Sequence, residues 1–215
     1  NALNALKGKN LNESDYTAAS WAALQAAIAE AQAQIDNPDS EQAVADAKNK
    51  LAAEEGNLVN IAGLREKVKT LEEELKGLKD KENDYSQASW DGLQEKLAAA
   101  KKVLGTSDAT AAAVSEVTNA LPQTAASALK ACGNKKPLEN AIADAETLGT
   151  YKDAYTEASW AALEKALQTA KEELAKRLED YASAAAALTK AAEALEIKAD
   201  HKLEGAVKEG LEEKL

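Results

Sequence analysis

The chain contains no phenylalanine and no methionine, and its 215 residues include only 3 prolines, 10 glycines, one cysteine and one histidine. A protein built on β-sheets would need aromatic and β-branched residues in alternation, together with many turn residues. The lone Cys132 excludes an internal disulfide framework, and the lone His201 excludes a metal cluster of cysteines and histidines. These absences predict an all-α protein, rich in alanine, with no metal site and no cofactor.

Acidic residues outnumber basic ones, with 37 aspartates and glutamates against 26 lysines and arginines, so the net charge is −11. Nucleic acids and anionic membrane surfaces repel such a chain, so neither is an expected partner. No apolar run approaches the ~18 residues of a membrane span, and no signal-peptide pattern follows Asn1. We therefore expect no membrane insertion, and the missing start methionine leads us to expect a fragment of a longer protein.

The sequence Tyr-(Ser/Thr)-x-Ala-Ser-Trp-x-x-Leu occurs three times, at intervals of about 70 residues. After each tryptophan, apolar residues return in steps of three and four, as in Trp21, Leu24, Ile28, Ala31 and Ile35, which predicts a helix with one buried stripe. The second residue of each motif is the expected N-cap of that helix. The motif residues expected to serve the core are Tyr16, Trp21, Leu24, Tyr85, Trp90, Leu93, Tyr155, Trp160 and Leu163.

Each motif helix is followed by a helix with apolar steps of three and then four, and each motif after the first is preceded by another apolar helix. The resulting repeats are 1–60, with a truncated opening helix, then 61–133 and 134–200, while 201–215 is the opening helix of a truncated fourth repeat. Three helices place the two chain ends of a repeat at opposite ends of its bundle. The sequence therefore predicts tandem three-helix bundles, joined end to end into an elongated rod.

The two junctions are expected to differ in stiffness. No proline interrupts the first, so one unbroken helix from Glu41 to Asp80 is predicted, because Gly56 and Gly63 weaken a helix without ending it. At the second junction, Gly133 suits a left-handed C-cap, so bending is predicted at 132–137. In the third repeat, the longer segment 176–183 is expected to add a helical turn.

The motif and the Ala-rich helices that follow it resemble the FIVAR domain, a module named for being found in various architectures. The resemblance covers nearly the whole chain. It implies a non-catalytic module of secreted or cell-wall-anchored proteins, mostly of Gram-positive bacteria, among them adhesins and multi-domain glycoside hydrolases. It carries no agreed set of ligand-binding residues, so that set stays unknown.

The aromatic side chains can also be interpreted as platforms for stacking sugars. Their fixed offsets from core positions favour a structural role for the three motif pairs, whereas Tyr151 and Tyr181 lie outside the pattern and are better candidates for an exposed contact. Acidic runs such as 72–74 follow a solvated helix and lack the cleft that a catalytic carboxylate pair requires. No catalytic residue is therefore predicted.

Together these observations predict a helical spacer and adhesion module at a bacterial cell surface or in a secreted protein, and not an enzyme. The alternative is a carbohydrate-binding accessory module of a glycoside hydrolase. The expected partners are a host extracellular-matrix protein or a glycan. The apolar residues Leu203, Val207 and Leu211 within 201–215 are further expected to support weak head-to-tail self-association.

Overall fold

A computed structural model describes residues 2–199 of the chain. In this part, the only β-structure consists of three isolated bridges, so the predicted all-α class is confirmed. The α-helices are α1 (Ala2–Lys7), α2 (Ala18–Asp36), α3 (Glu41–Gly56), α4 (Ala62–Gly77), α5 (Gln87–Leu104), α6 (Ala111–Ala120), α7 (Ala125–Ala128), α8 (Lys136–Thr147), α9 (Glu157–Ala175) and α10 (Ala182–Glu193). Short 3₁₀ helices span Glu13–Asp15, Lys79–Asp84 and Leu148–Ala154.

In the described part of the chain, the first of two compact units comprises 2–80 and Asp91–Ala128. Helices α1, α2 and α3 contact one another around a core of leucines and alanines, and α4 packs on α6 and α7. The apolar stripe of α2 forms this core because its period matches the helical turn. The residues buried in the first core are Leu3, Leu6, Leu24, Ala27, Ala31 and Leu51.

The second unit comprises Lys81–Trp90 and, in the described part of the chain, 129–199. Here α8, α9 and α10 each contact the other two and enclose a single core. Its buried residues are Leu138, Ile142, Ala145, Trp160, Leu163, Ala170, Tyr181, Ala185 and Leu188. The predicted joining of the bundles into a rod stays a prediction from the sequence.

The unbroken helix predicted from Glu41 to Asp80 is wrong. Helix α3 ends at Gly56 and α4 begins at Ala62, and the residues between them are extended enough for Asn60 to form a β-bridge with Tyr16. Intrinsic helix propensity is a weak preference. In this segment, backbone hydrogen bonds to the motif outweigh the helical bonds that the same groups would otherwise make.

The left-handed cap predicted at Gly133 is also wrong, because no glycine among residues 2–199 has a positive φ angle. The Gly133 amide instead donates to the carbonyl of Leu178 at 2.8 Å. The helical turn predicted within 176–183 is absent as well. Helix α9 ends at Ala175, and the Tyr181 hydroxyl closes the loop before α10 by donating to the Lys176 carbonyl at 2.6 Å.

The predicted core stripe of the first repeat fails at its far end, where Ile35 is 49% exposed and Val44 of α3 is 41% exposed. The opening helix of this repeat, α1, has six residues, whereas α4 and α8 have 16 and 12. Among the described residues, α1 thus leaves the distal ends of α2 and α3 without a third helix. The predicted opening helix at 201–215 lies outside the described residues.

Candidate functional site

The motif tyrosine of each repeat forms a β-bridge with the segment that follows the third helix of the same repeat. In the third repeat, the Thr156 amide donates to the Glu196 carbonyl and the Lys198 amide donates to the Ala154 carbonyl, both at 2.8 Å. We call this pair of hydrogen bonds the closing bridge. Its three copies pair Tyr16 with Asn60, Tyr85 with Ala131, and Tyr155 with Ile197.

The motif serine three residues after the N-cap strengthens the closing bridge. The Ser159 hydroxyl donates to the Thr156 carbonyl at 3.1 Å and accepts from the Glu196 amide at 3.1 Å. The N-cap hydroxyl of Thr156 lies 2.9 Å from the Ser159 hydroxyl oxygen, and it accepts a hydrogen bond from the Ser159 amide. The other repeats place Ser20 against the Val59 amide at 3.2 Å and Ser89 against the Lys130 amide at 3.0 Å.

This role of the serine was not predicted from the sequence. The predicted N-caps are observed in part, because Ser86 and Thr156 accept a hydrogen bond from the helix amides, whereas the Thr17 side chain makes no capping bond. The signal that could have revealed the role is its invariance across the three copies. A surface serine in a helical first turn has no reason to recur three times unless its hydroxyl has a partner.

The tyrosine and the tryptophan of each motif stack on one another. Their ring centroids are 5.8 Å apart in the first repeat and 6.1 Å apart in the other two. Trp90 and Trp160 are buried, and Trp21 is half-buried. Such offset stacks stabilise a core beyond the area they bury. Of the two candidates for an exposed contact outside the motif, Tyr181 is fully buried and is excluded, whereas Tyr151 is 64% exposed.

The start of a motif helix also meets the next repeat along the chain. In the first unit, the Ala19 amide donates to the Ser107 carbonyl at 2.9 Å. In the second unit, the Gln87 amide donates to the Arg177 carbonyl at 2.7 Å. Both acceptors lie in the turn between the motif helix and the third helix, seventeen residues after the tryptophan of their repeat. First-turn amides have no partner within their own helix, so this turn satisfies one of them.

A model of the FIVAR domain matches residues 1–59, 62–129 and 134–200. The chain belongs to the FIVAR domain family. No curated protein and no solved structure matches it. The family match covers all three motif copies, so the motif serine and the stacked pair lie within the FIVAR repeats of this chain. The bridge partners Asn60 and Ala131 lie just beyond the matched residues of the first two repeats.

The third FIVAR repeat carries an open depression of about 270 Å³ beside its stacked pair. Lys152 lies over the Trp160 ring, 5.6 Å from the centroid, and pairs with Glu164 at 2.8 Å. The Trp160 indole N–H donates to the same carboxylate at 2.7 Å. The hydrogen bond from Lys152 and, to a smaller extent, the one from Trp160 hold the pKa of Glu164 below its usual value. The depression is lined by Lys152, Asp153, Tyr155, Glu157, Trp160, Ala161, Glu164 and Lys198.

Two further pKa shifts in the FIVAR repeats arise at exposed ion pairs. Hydrogen bonds to Glu30 and Glu173 raise the pKa values of Lys50 and Lys176, respectively, and both lysines are exposed. Among residues 2–199, no three histidine, cysteine, aspartate or glutamate side chains converge in a group that could hold a metal ion. No helix in the same range is both long and apolar enough to cross a membrane.

Proposed function

We propose that this chain is a non-catalytic helical spacer of a bacterial cell-surface or secreted multi-domain protein, and that its surface also serves adhesion. FIVAR domains occur in surface and secreted proteins of varied architecture. Support for the spacer role comes from one observation: each repeat uses its motif residues to close its own bundle. The bridge, the serine and the stacked pair all serve internal contacts, and an accessory module needs no more than a stable fold.

The adhesive part of the proposal depends on the family resemblance, with a host extracellular-matrix protein as the partner. The net charge of −11 favours a partner with a basic surface, because opposite charge raises the rate of association. Binding of immobilised fibronectin and collagen by the chain, measured at low and at physiological salt, tests this part. Equal signals from the chain and from an unrelated acidic helical protein would refute it.

A spacer must hold its flanking segments apart, and scattering tests that requirement. We expect a radius of gyration well above the roughly 17 Å of a globular protein of this length. The same solution should give a distance distribution with a long tail at large separations. A radius of gyration near the globular value would refute the spacer role.

A carbohydrate-binding accessory role is the second candidate, and it is favoured by the exposure of Tyr151. Aromatic faces stack on sugars only when they are accessible, and the motif tryptophans are covered to different extents by their own repeats. Titration with oligosaccharides of glucose and of N-acetylglucosamine, monitored by isothermal calorimetry, tests this role. Binding that is lost in Tyr151→Ala would support the carbohydrate-binding role. If neither oligosaccharide produces a heat of binding, the spacer role is the better account.

A further inference from the structure

Neighbouring repeats meet through the same turn in both units, although the donor lies two residues before the tryptophan in one unit (Ala19) and three before it in the other (Gln87). In each, the carbonyl seventeen residues after a tryptophan accepts a hydrogen bond from the first turn of the preceding motif helix. The second case adds side chains, because the Arg177 guanidinium bonds the side-chain oxygens of Glu82 and Gln87 at 3.0 and 2.7 Å. This turn is thus one half of a repeated interface, and the start of the motif helix is the other half.

In the third repeat, the motif helix is α9. Among the described residues, no turn of another repeat contacts its first turn. Counted from the tryptophan, Lys152 and Glu157 occupy the positions that Glu82 and Gln87 occupy in the second repeat. Both line the open depression beside Trp160. The depression is therefore the counterpart of the place where Arg177 contacts the second repeat.

In the first repeat, the equivalent turn follows α2. Among residues 2–199, no motif helix of another repeat contacts this turn. Pro38 lies seventeen residues after Trp21, as Arg177 does after Trp160. The turn at 37–40 is exposed, and it borders a shallow apolar surface that includes the exposed Val44. A proline suits this position because the contact uses its carbonyl and requires no backbone N–H.

We propose that the depression in the third repeat binds the turn at 37–40 of a second copy of this chain, in a head-to-tail contact. The Pro38 carbonyl accepts a hydrogen bond from the first turn of α9, as the Arg177 carbonyl does from Gln87. Lys198 lines the depression and has no ion pair with any described residue, but Asp153 and Glu157 line it as well. The contact therefore depends on the backbone hydrogen bond and not on the charge of Asp39.

The contact is expected to be weak. Pro38 lacks a guanidinium, so the side-chain bonds that Arg177 adds within the second unit have no equivalent here. A heterologous contact of this kind does not close on itself, and it allows short chains of molecules to grow with concentration. This role goes beyond that of a spacer, which needs no second copy.

Disulfide trapping tests the contact, because the residues at the equivalent positions, Arg177 and Gln87, are joined by a backbone hydrogen bond of 2.7 Å that holds their backbones close together. Two variants are made on a Cys132→Ser background, one with Pro38→Cys and the other with Glu157→Cys. They are mixed in a glutathione redox buffer, and cross-linked dimer is quantified by non-reducing electrophoresis. The matched control replaces Glu157→Cys by Gln168→Cys, a substitution at an exposed position of the same helix.

We expect at least tenfold more cross-linked dimer from the Pro38→Cys and Glu157→Cys mixture than from the control mixture. Circular dichroism of each variant should match that of the unmodified chain, since all three positions are exposed. Equal yields from the two mixtures would overturn the proposal and would mean that only a repeat within the same chain fits the depression.

Discussion

The guanidinium of Arg177 binds the side-chain oxygen of Gln87 through two nitrogens, Nε at 3.0 Å and Nη2 at 2.7 Å. The two residues belong to different FIVAR repeats but to the same compact unit. The same guanidinium pairs with the Glu82 carboxylate at 3.0 Å, and its side chain is only 12% exposed. A planar, multiply bonded arginine in a mostly buried position contributes more than a surface ion pair.

We expect Arg177→Ala to lower the free energy of unfolding of the second unit by about 1–2 kcal/mol, since it removes several charge-assisted hydrogen bonds. Urea denaturation followed by circular dichroism measures the change. Lys171→Ala is the matched control, because Lys171 makes an ion pair with Glu146 at 2.7 Å whose partners are both about half exposed. The control should cost less than about 1 kcal/mol. Equal losses in the two variants would contradict a special role for Arg177.

The motif serine should stabilise the closing bridge. Ser159→Ala removes the acceptor of the Glu196 amide, and we expect a loss of about 1–2 kcal/mol. Amide hydrogen exchange gives a residue-level measurement, in which Glu196 should exchange faster while amides in the middle of α9 are less affected. Ser115→Ala is the control, because Ser115 lies exposed on α6 and accepts only from the Asn119 side chain at 3.4 Å. Unchanged exchange at Glu196 would show that the hydroxyl is dispensable.

Gly133 should resist substitution, for a steric reason. A Cβ atom at this position would lie 2.5 Å from the backbone oxygen of Glu179, which cannot move without its chain. We expect Gly133→Ala to destabilise the second unit by about 1–3 kcal/mol. For Gly92→Ala we expect the opposite effect on stability, because Gly92 lies inside α5 and nothing is within 4 Å of the added carbon.

The Gly92→Ala variant should gain about 0.5–1 kcal/mol from improved helix propensity. Thermal unfolding of the two variants, run side by side, gives the sign of each effect. If the melting temperatures of both variants shift in the same direction, the close approach of Glu179 does not determine whether Gly133 tolerates a side chain.

The Glu164 carboxylate predicts a pH dependence. Its pKa is below the usual value near 4.5 because Lys152 and Trp160 donate hydrogen bonds to it. A lowered pKa in the folded state adds stability above the pKa of the unfolded chain, and this stability is lost as the pH falls through the folded pKa. Trp160 fluorescence should therefore change on acidification, because protonation weakens the bond to the indole.

Glu164→Gln should reduce that acid transition, and it should destabilise the protein at neutral pH but little at a pH below the lowered pKa of the folded state. Glu95→Gln supplies the control, since it removes the same charge from an exposed position of α5 that has no ion pair with a described residue. A fluorescence transition that persists unchanged in Glu164→Gln would assign it to another group.

Much of the architecture was predictable because it depends on periodicity. The three motif copies placed helices at α2, α5 and α9, and steps of three and four identified which of their faces is buried. The predictions failed where a contact distant in sequence competes with a local preference. Helix propensity favours continuity through Gly56, but the bridge to Tyr16 ends the helix there.

Tyr181 shows the same limit for a single side chain. No core position in the repeated pattern corresponds to it, so the sequence left it as a candidate for an exposed contact. The ring is buried because its hydroxyl reaches the Lys176 carbonyl and the Leu178 amide, and so satisfies a loop that has no helical hydrogen bonds of its own. A buried tyrosine requires a partner for its hydroxyl, and that partner becomes visible only when the loop is folded.

The sequence by itself determined the helical class, the three repeats and the helical faces that are buried, because these follow from residue spacing on a helix of fixed pitch. Only the tertiary structure decided where α3 stops, why the motif serine recurs, and which turn meets the start of which motif helix. Each of these depends on hydrogen bonds between residues about 40 to 90 positions apart, as from Val59 to Ser20 or from Gln87 to Arg177. No local pattern encodes such pairs, since they form only when the packed helices bring distant backbone groups within reach.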